Sequence, residues 1–426
     1  MVRSTVAHVD LGALQANFRA IQDFLARSLE PGARSPQVLA VVKANAYGHG
    51  AAPVGLALEQ AGATMLACAD IEEGIVLRRA GVRVPILVFG ALSVSDLDGL
   101  FEFALTPTIS TPSAAHAVQA AAARQRVTLG YHLKIDTGMN RLGFRHDNLR
   151  RTLPELFASG NLRLDAVYTH FASADDPESP LFDQQRQNYD AALRVVDDLL
   201  CHYSPAESSV ARTLSGPRGD RGGVGRGLSA SPGGPDKARP TDDVRLASDV
   251  RPYLRHAANS AATLRDSRVW YDTVRPGLLL YGIVPPPLAS TIPLQPVMSL
   301  TSRIVAVKGL RPGEGVGYGW RFTTDSARTI AVVPAGYADG LDTRLSGRGQ
   351  VLVRGKRVPV VGAVSMDMLT IDVTGLDVEP GDEVVILGRQ GEEKWQQIDA
   401  RELGAAVGMI PWEVLCRLGS RIERIY

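Results

Sequence analysis

Cysteine is scarce in this chain. There are three, Cys68, Cys201 and Cys416, far apart and without a CxxC pair. That argues against a disulfide framework or a thiolate zinc site, and it fits a reducing compartment. Long apolar runs are missing too; no stretch approaches the roughly 20 residues needed to cross a bilayer. The opening "MVRSTVAHVDLGALQANF" puts polar and charged residues where a secretory leader needs an apolar core. A cytoplasmic location with no membrane partner is therefore expected. Excess charge of one sign is also absent: 46 Lys and Arg stand against 45 Asp and Glu, a formal net charge of +1. Such a balance offers no electrostatic footprint for nucleic acid.

What the chain does contain is alternation. Its 426 residues exceed one ordinary core, which predicts two domains or a large barrel with a smaller unit. "DLGALQANFRAIQDFLARSL" has helical apolar spacing behind a capping Asp10. "VLAVVK" is a continuous apolar run of the kind buried on both faces of a parallel sheet. Further β-then-α units follow, through "TMLACAD", "VPILVFG", "VTLGYHLKIDT", "LRLDAVYTHFA", "RHAANS" and "YDTVRPGLLLYG". So many units predict an α/β fold, a closed (β/α)8 TIM-type barrel over 11–290, with its site at the carboxyl ends of the strands. After about residue 290 the texture becomes strands and Gly- and Pro-rich turns, which predicts a mostly β C-terminal domain. The opening strand, about residues 3–9, is expected to join it, so the second domain is 1–10 plus 291–426. Residues 204–250 are dense in Gly, Pro, Ser and charge and hold no aromatic residue. They read as a disordered insertion in a barrel loop.

Several fragments carry candidate chemistry. "VVKANAYGHG" places Lys43 at a strand end, where a desolvated amine is more readily neutral and nucleophilic. Tyr47, Gly48 and Gly50 follow, and glycine lets backbone and phenol approach a phosphate. "HLKIDTGMNRLGF" sets Lys134, Asp136 and Arg141 around a glycine turn, and arginine suits a forked carboxylate contact. "YTHFASADD" puts His170 at a strand end. "RHAANSAATLR" offers Asn259 and Ser260 at a helix start, and "VRPGLLLYG" offers Arg275 and Gly277; paired late-strand sites of this kind bind phosphate in many barrels. In the β region, Tyr318 lies in "GEGVGYGW", Tyr337 in "PAGYADG", and Met366 and Asp367 in "GAVSMDM". Taken singly, each also reads as a capped helix, a packed tyrosine or a solvated loop.

Taken together, the order and spacing of these motifs resemble the pyridoxal-phosphate-dependent alanine racemases. The resemblance spans nearly the whole chain apart from 204–250. It implies a homodimer, pyridoxal 5'-phosphate as cofactor, alanine as substrate, and D-alanine supply for the cell wall as the usual role. It also implies residue roles. Lys43 matches the lysine that carries the cofactor as an aldimine and acts as base on one face of the substrate. Tyr318 matches the acid/base on the other face, supplied by the partner subunit. Tyr47, Ser260, Gly277 and Leu278 match phosphate-site positions, with Asn259 beside them. Arg275 matches the arginine facing the pyridine nitrogen, His256 the histidine behind it, and His170 a residue beside the ring. Arg141 and the Met366 backbone match the substrate-carboxylate site. Lys134 matches a lysine that is often carbamylated, Tyr337 an entrance tyrosine of the partner, and Asp367 an active-site carboxylate. A further phosphate-site tyrosine of some members aligns with Ser420, and Ser365 replaces a cysteine found in several relatives.

Three other readings compete. A barrel decarboxylase of basic amino acids calls for an acidic partner at the pyridine nitrogen and a cysteine–aspartate motif; Arg275 and "SMDM" argue against it. A broad-specificity racemase acting on alanine and serine shares the mechanism. A non-catalytic pyridoxal-phosphate carrier leaves the β region with Tyr318 and Met366 unexplained.

Overall fold

The structure, a computed structural model, describes residues 4–30, 32–92, 97–203, 252–391 and 394–426; the expected insertion at 204–250 lies outside them. The first ten strands are β1 (Val6–Val9), β2 (Gln37–Val41), β3 (Met65–Cys68), β4 (Ile86–Val88), β5 (Thr106–Ile109), β6 (Leu129–Asp136), β7 (Phe144–Arg145), β8 (Leu162–Tyr168), β9 (Leu254–His256) and β10 (Thr273–Val274). β2 to β6 and β8 to β10 form a closed parallel barrel, in which β10 returns to β2 and β5 meets β6. β7 is a short addition beside β6. The apolar strands stay dry because helices cover one face and side chains fill the other: four of five residues of β2 and all three of β4 are buried.

The helices begin where the sequence supplies caps. Asp10 accepts the N–H of Ala13 at 2.8 Å and starts helix Leu11–Arg27, whose buried stripe is Leu14, Phe18, Ile21 and Leu25. Asp70 accepts Glu73 N–H at 2.8 Å and starts helix Ile71–Arg79. Thr111 and Pro112 open helix Pro112–Gln125 in the same manner.

The remaining strands are β11 (Met298–Arg303), β12 (Ala306–Leu310), β13 (Gly315–Val316), β14 (Phe322–Thr323), β15 (Arg328–Val333), β16 (Gln350–Val353), β17 (Lys356–Val361), β18 (Leu369–Asp372), β19 (Glu383–Gln390), β20 (Gln396–Ile398) and β21 (Glu423–Ile425). They build a sheet in the order β12-β15-β18-β17-β16-β19-β11-β1-β21, with β20 paired to β19. β1 sits inside it, antiparallel to β11 and parallel to β21, with Val6 opposite both Thr301 and Glu423. The β13–β14 ribbon stands apart and carries Tyr318 in its turn. Among the described residues, no helix is long and apolar enough to cross a membrane.

Candidate active site

Lys43 lies two residues past the end of β2, and the chain then does something unusual. Ala44, Asn45, Ala46 and Tyr47 all have left-handed backbone angles, with φ of 55°, 52°, 55° and 52°. Each non-glycine residue held there costs roughly 1–2 kcal/mol, so the surroundings must impose the turn. His49, fully buried, has its Nδ1 between the carbonyl oxygens of Ala46 and Tyr47, at 2.9 and 3.0 Å. Both partners are acceptors, so Nδ1 carries the proton. From the far end of the chain, Arg424 Nε donates to Gly48 O at 3.1 Å. A side chain at Gly50 would run into the Tyr426 phenol, 1.9 Å from where its Cβ would lie.

The turn delivers Lys43 and Tyr47 to one side of a cleft of ≈ 440 Å³ at the carboxyl ends of the strands. Lys134, Arg141, His170, Asn259, Ser260, Arg275, Gly277 and Leu278 line the same cleft. Ten of the residues singled out in the sequence thus share one space. His256 lies just behind them, buried against Arg275. Tyr318, Tyr337, Met366 and Asp367 are not in it. They sit on the β region and are exposed, Tyr318 by 78%. Asp367 pairs with Arg421 at 2.5 Å.

One end of the cleft is built from small groups. Ser260 Oγ accepts Gly277 N–H at 3.0 Å and Leu279 N–H at 3.4 Å, which ties the loop after β10 to helix Ser260–Arg265. Asn259 caps that helix through Ala262 N–H at 2.9 Å. A Cβ at Gly277 would lie 2.4 Å from the Tyr47 phenol oxygen, so only glycine permits this approach.

Arg275 forms the opposite end. Its Nη1 donates to His256 Nδ1 at 3.1 Å, and its Nη2 to the carbonyls of Thr169 and Ala257 at 2.8 and 3.0 Å. Arginine has no acceptor, so His256 must hold its proton on Nε2, which points to His132 Nδ1 at 3.0 Å. One cation therefore sets the tautomer of two histidines. Burial lowers Arg275 to about 10, still a cation at neutral pH. Burial, with Arg275 adding, drives His132 down to about 3 and His256 and His170 well below the usual value. Tyr168 stacks on His256, with ring centres 4.7 Å apart, and its other contacts include Lys134 Nζ at 4.5 Å. Burial pushes its phenol up to about 12.

The two lysines are both weakened as acids' conjugates go. Burial, then Arg141, lowers Lys43, while Glu73 pulls the other way. Burial, then Arg275 and Arg141, lowers Lys134 to about 7. Asp136 shapes the loop between Lys134 and Arg141 by accepting the N–H groups of Gly138, Met139 and Asn140 at 2.9–3.1 Å.

Sequence reasoning missed part of the wall. Trp412 and Cys416 line the cleft from helix Pro411–Cys416, and Ser420 lies exposed beyond that helix and does not reach it. The C-terminal helix reaches the cleft through residues four and eight positions before Ser420. Tyr168 and Phe89 were missed as well.

A closed parallel barrel with a depressed lysine, a buried arginine and a small-residue cradle at its strand ends defines a barrel enzyme for a small, anionic molecule. Comparison with known proteins is specific. Residues 9–216 and 239–285 match the family model "Alanine racemase, N-terminal domain", and residues 297–426 match "Alanine racemase, C-terminal domain". The alanine racemase of Symbiobacterium thermophilum is 36% identical over 427 residues, covering 100% of this chain and 97% of its own. That of Carboxydothermus hydrogenoformans is 36% identical over 431 residues and covers 100% of both chains. The crystal structure of alanine racemase from D-cycloserine-producing Streptomyces lavendulae superimposes with a TM-score of 0.82 at 31% identity, over 100% of this chain and 97% of that one. The chain belongs to the alanine racemase family, whose members are isomerases.

Proposed function

We propose that this chain interconverts L-alanine and D-alanine with pyridoxal 5'-phosphate as cofactor, working as a homodimer. The observation that carries the reading is the convergence of Lys43, Arg275 and the Tyr47–Ser260–Gly277 cradle in one cleft. The cleft fits the cofactor's chemistry: an amine for its aldehyde, a cation for its ring nitrogen, and hydroxyl and N–H donors with a glycine approach for its phosphate. When bound, pyridoxal phosphate supplies delocalisation of the charge left as the Cα proton departs.

The chain's own groups do the rest. Tyr47, Ser260 and the Leu278 backbone would hold the phosphate. Arg275, kept cationic and held by His256 Nδ1 and the carbonyls of Thr169 and Ala257, would face the ring without giving up a proton, with His170 beside it. Lys43, depressed by burial and by Arg141, takes or returns the Cα proton on one face. Tyr318 of a second copy serves the opposite face, and Met366 and Tyr337 come with it. Arg141 holds the substrate carboxylate. Lys134, near 7, is partly a neutral amine, the form that combines with carbon dioxide and releases a proton to give a carbamate.

The deciding measurement places the protein with pyridoxal phosphate in deuterated water, with L-alanine or L-serine. Deuterated D-alanine should form far faster than D-serine. Equal rates favour the broad-specificity reading, and no Cα exchange with cofactor bound sinks the racemase. A smaller test addresses the cradle. Gly277→Ala should weaken pyridoxal phosphate binding by about tenfold or more, the worth of one or two phosphate hydrogen bonds. An unchanged dissociation constant in an absorbance titration would remove the phosphate from that end.

A further inference from the structure

Glu73 has two jobs within reach and does more than the ordinary one. It stands three residues after the cap Asp70 on helix Ile71–Arg79, where a glutamate usually bends back to the cap's own N–H. Here Oε2 accepts the N–H of Ala69 at 2.7 Å. Oε1 instead crosses to the neighbouring loop and accepts Ala44 N–H at 2.6 Å and Asn45 N–H at 3.4 Å. These are the first two residues of the left-handed turn, immediately after Lys43. Val42, the residue before Lys43, provides no side-chain cap. The carbonyl end of the turn is held by His49 and Arg424, and the N–H end by Glu73.

Four successive left-handed residues without glycine will not persist unaided. An ionised carboxylate on the leading N–H groups is the strong form of a backbone cap. We propose that Glu73 is a positioning residue that holds residues 44–47 left-handed and thereby aims Lys43 and Tyr47 into the cleft. The functional half rests on the reading of Lys43 as the cofactor lysine; the conformational half does not.

Glycine supplies the discriminating experiment, because it adopts the left-handed region without steric cost. Ala44 is exposed, so Ala44→Gly removes strain without emptying the core. In the full-length apoprotein, Glu73→Ala should speed amide hydrogen exchange in peptides spanning 43–50. It should also raise the pyridoxal phosphate dissociation constant by about ten- to hundredfold, the worth of one or two charge-assisted hydrogen bonds. Adding Ala44→Gly to Glu73→Ala should recover much of both losses. Glu73→Gln, which keeps one acceptor oxygen, should fall between and serves if the alanine variant does not fold. Unchanged exchange and affinity in Glu73→Ala and Glu73→Gln overturn the proposal. So does a loss that Ala44→Gly fails to restore, since a glutamate that merely caps its own helix is indifferent to strain at residue 44. If the wild-type apoprotein takes up no pyridoxal phosphate, the cofactor reading fails, and hydrogen exchange still decides the role of Glu73 in the turn.

Discussion

A mixed dimer of one Lys43→Ala subunit and one Tyr318→Phe subunit is expected to turn over alanine at about half the wild-type rate, although each variant alone is nearly dead. General acid–base and nucleophilic groups each contribute about a hundred- to ten-thousandfold, so each homodimeric variant should lose at least that. The recovery follows from symmetry. Where each site takes its lysine from one copy and its tyrosine from the other, the mixed dimer gathers both substitutions in one site and leaves the second intact. The exposed face of the β region motivates the expectation. Tyr318, Trp320, Met366 and Met368 are 46–78% exposed. They belong to adjoining loops: Gly317 approaches Ala363, and Tyr337 N–H reaches Ser365 O at 3.0 Å. Exposed large apolar groups gathered on one face mark an interaction surface. The two subunits would be co-expressed with different affinity tags and purified through both. Activity no greater than that of the separate variants would place lysine and tyrosine in the same subunit.

Acid should unfold this protein well before its carboxylates matter. His49, His132 and His256 are buried and His170 is half-buried at the cleft; all four are held neutral, with His49 at about 4, His132 at about 3 and the others well below the ordinary value. In the unfolded chain each titrates near 6.5. Between pH 6.5 and about 4 the unfolded state therefore binds more protons than the native one. The histidines' contribution to stability is full above that window and falls as pH drops through it. With four such groups the slope approaches about 5 kcal/mol per pH unit. Asp342, held at about 2 by Arg344, adds a loss of the same sign only at lower pH, so the two contributions separate. Urea denaturation from pH 7.5 to 5 measures the slope. A flat profile over that range would mean that the histidines are already protonated in the fold or lie near water.

Much of this was readable from residues alone. "VLAVVK" announced a strand dry on both faces that ends in a lysine, and Arg275, Gly277 and Ser260 lie where late barrel strands gather phosphate groups. His132 was also within reach. It is two residues before Lys134 on β6, and a period of two puts both on one face. The left-handed turn was not readable. "ANAY" contains no glycine, and its conformation is imposed by Glu73, 29 positions away, and by Arg424, 376 positions beyond the loop. Local propensity carries no trace of such partners. Trp412 and Cys416 lie four apart, one helical turn, but only the docking of their helix shows which face meets the cleft. Tyr318 shows the other limit: a group proposed to act in a second copy cannot be positioned by either the sequence or the fold of one.

The clasp of Arg424 and Tyr426 on the Gly48–Gly50 loop bears on the order in which the protein is made. On the ribosome, the lysine loop and β1 emerge early, while their clasp and their strand partner β21 emerge hundreds of residues later. Translation can finish the barrel's walls and still leave the loop unclasped and β1 without a neighbour on either side. The enzyme is thus completed from its tail backward, and a nascent chain stalled short of Arg424 carries the lysine but not the grip that shapes its surroundings.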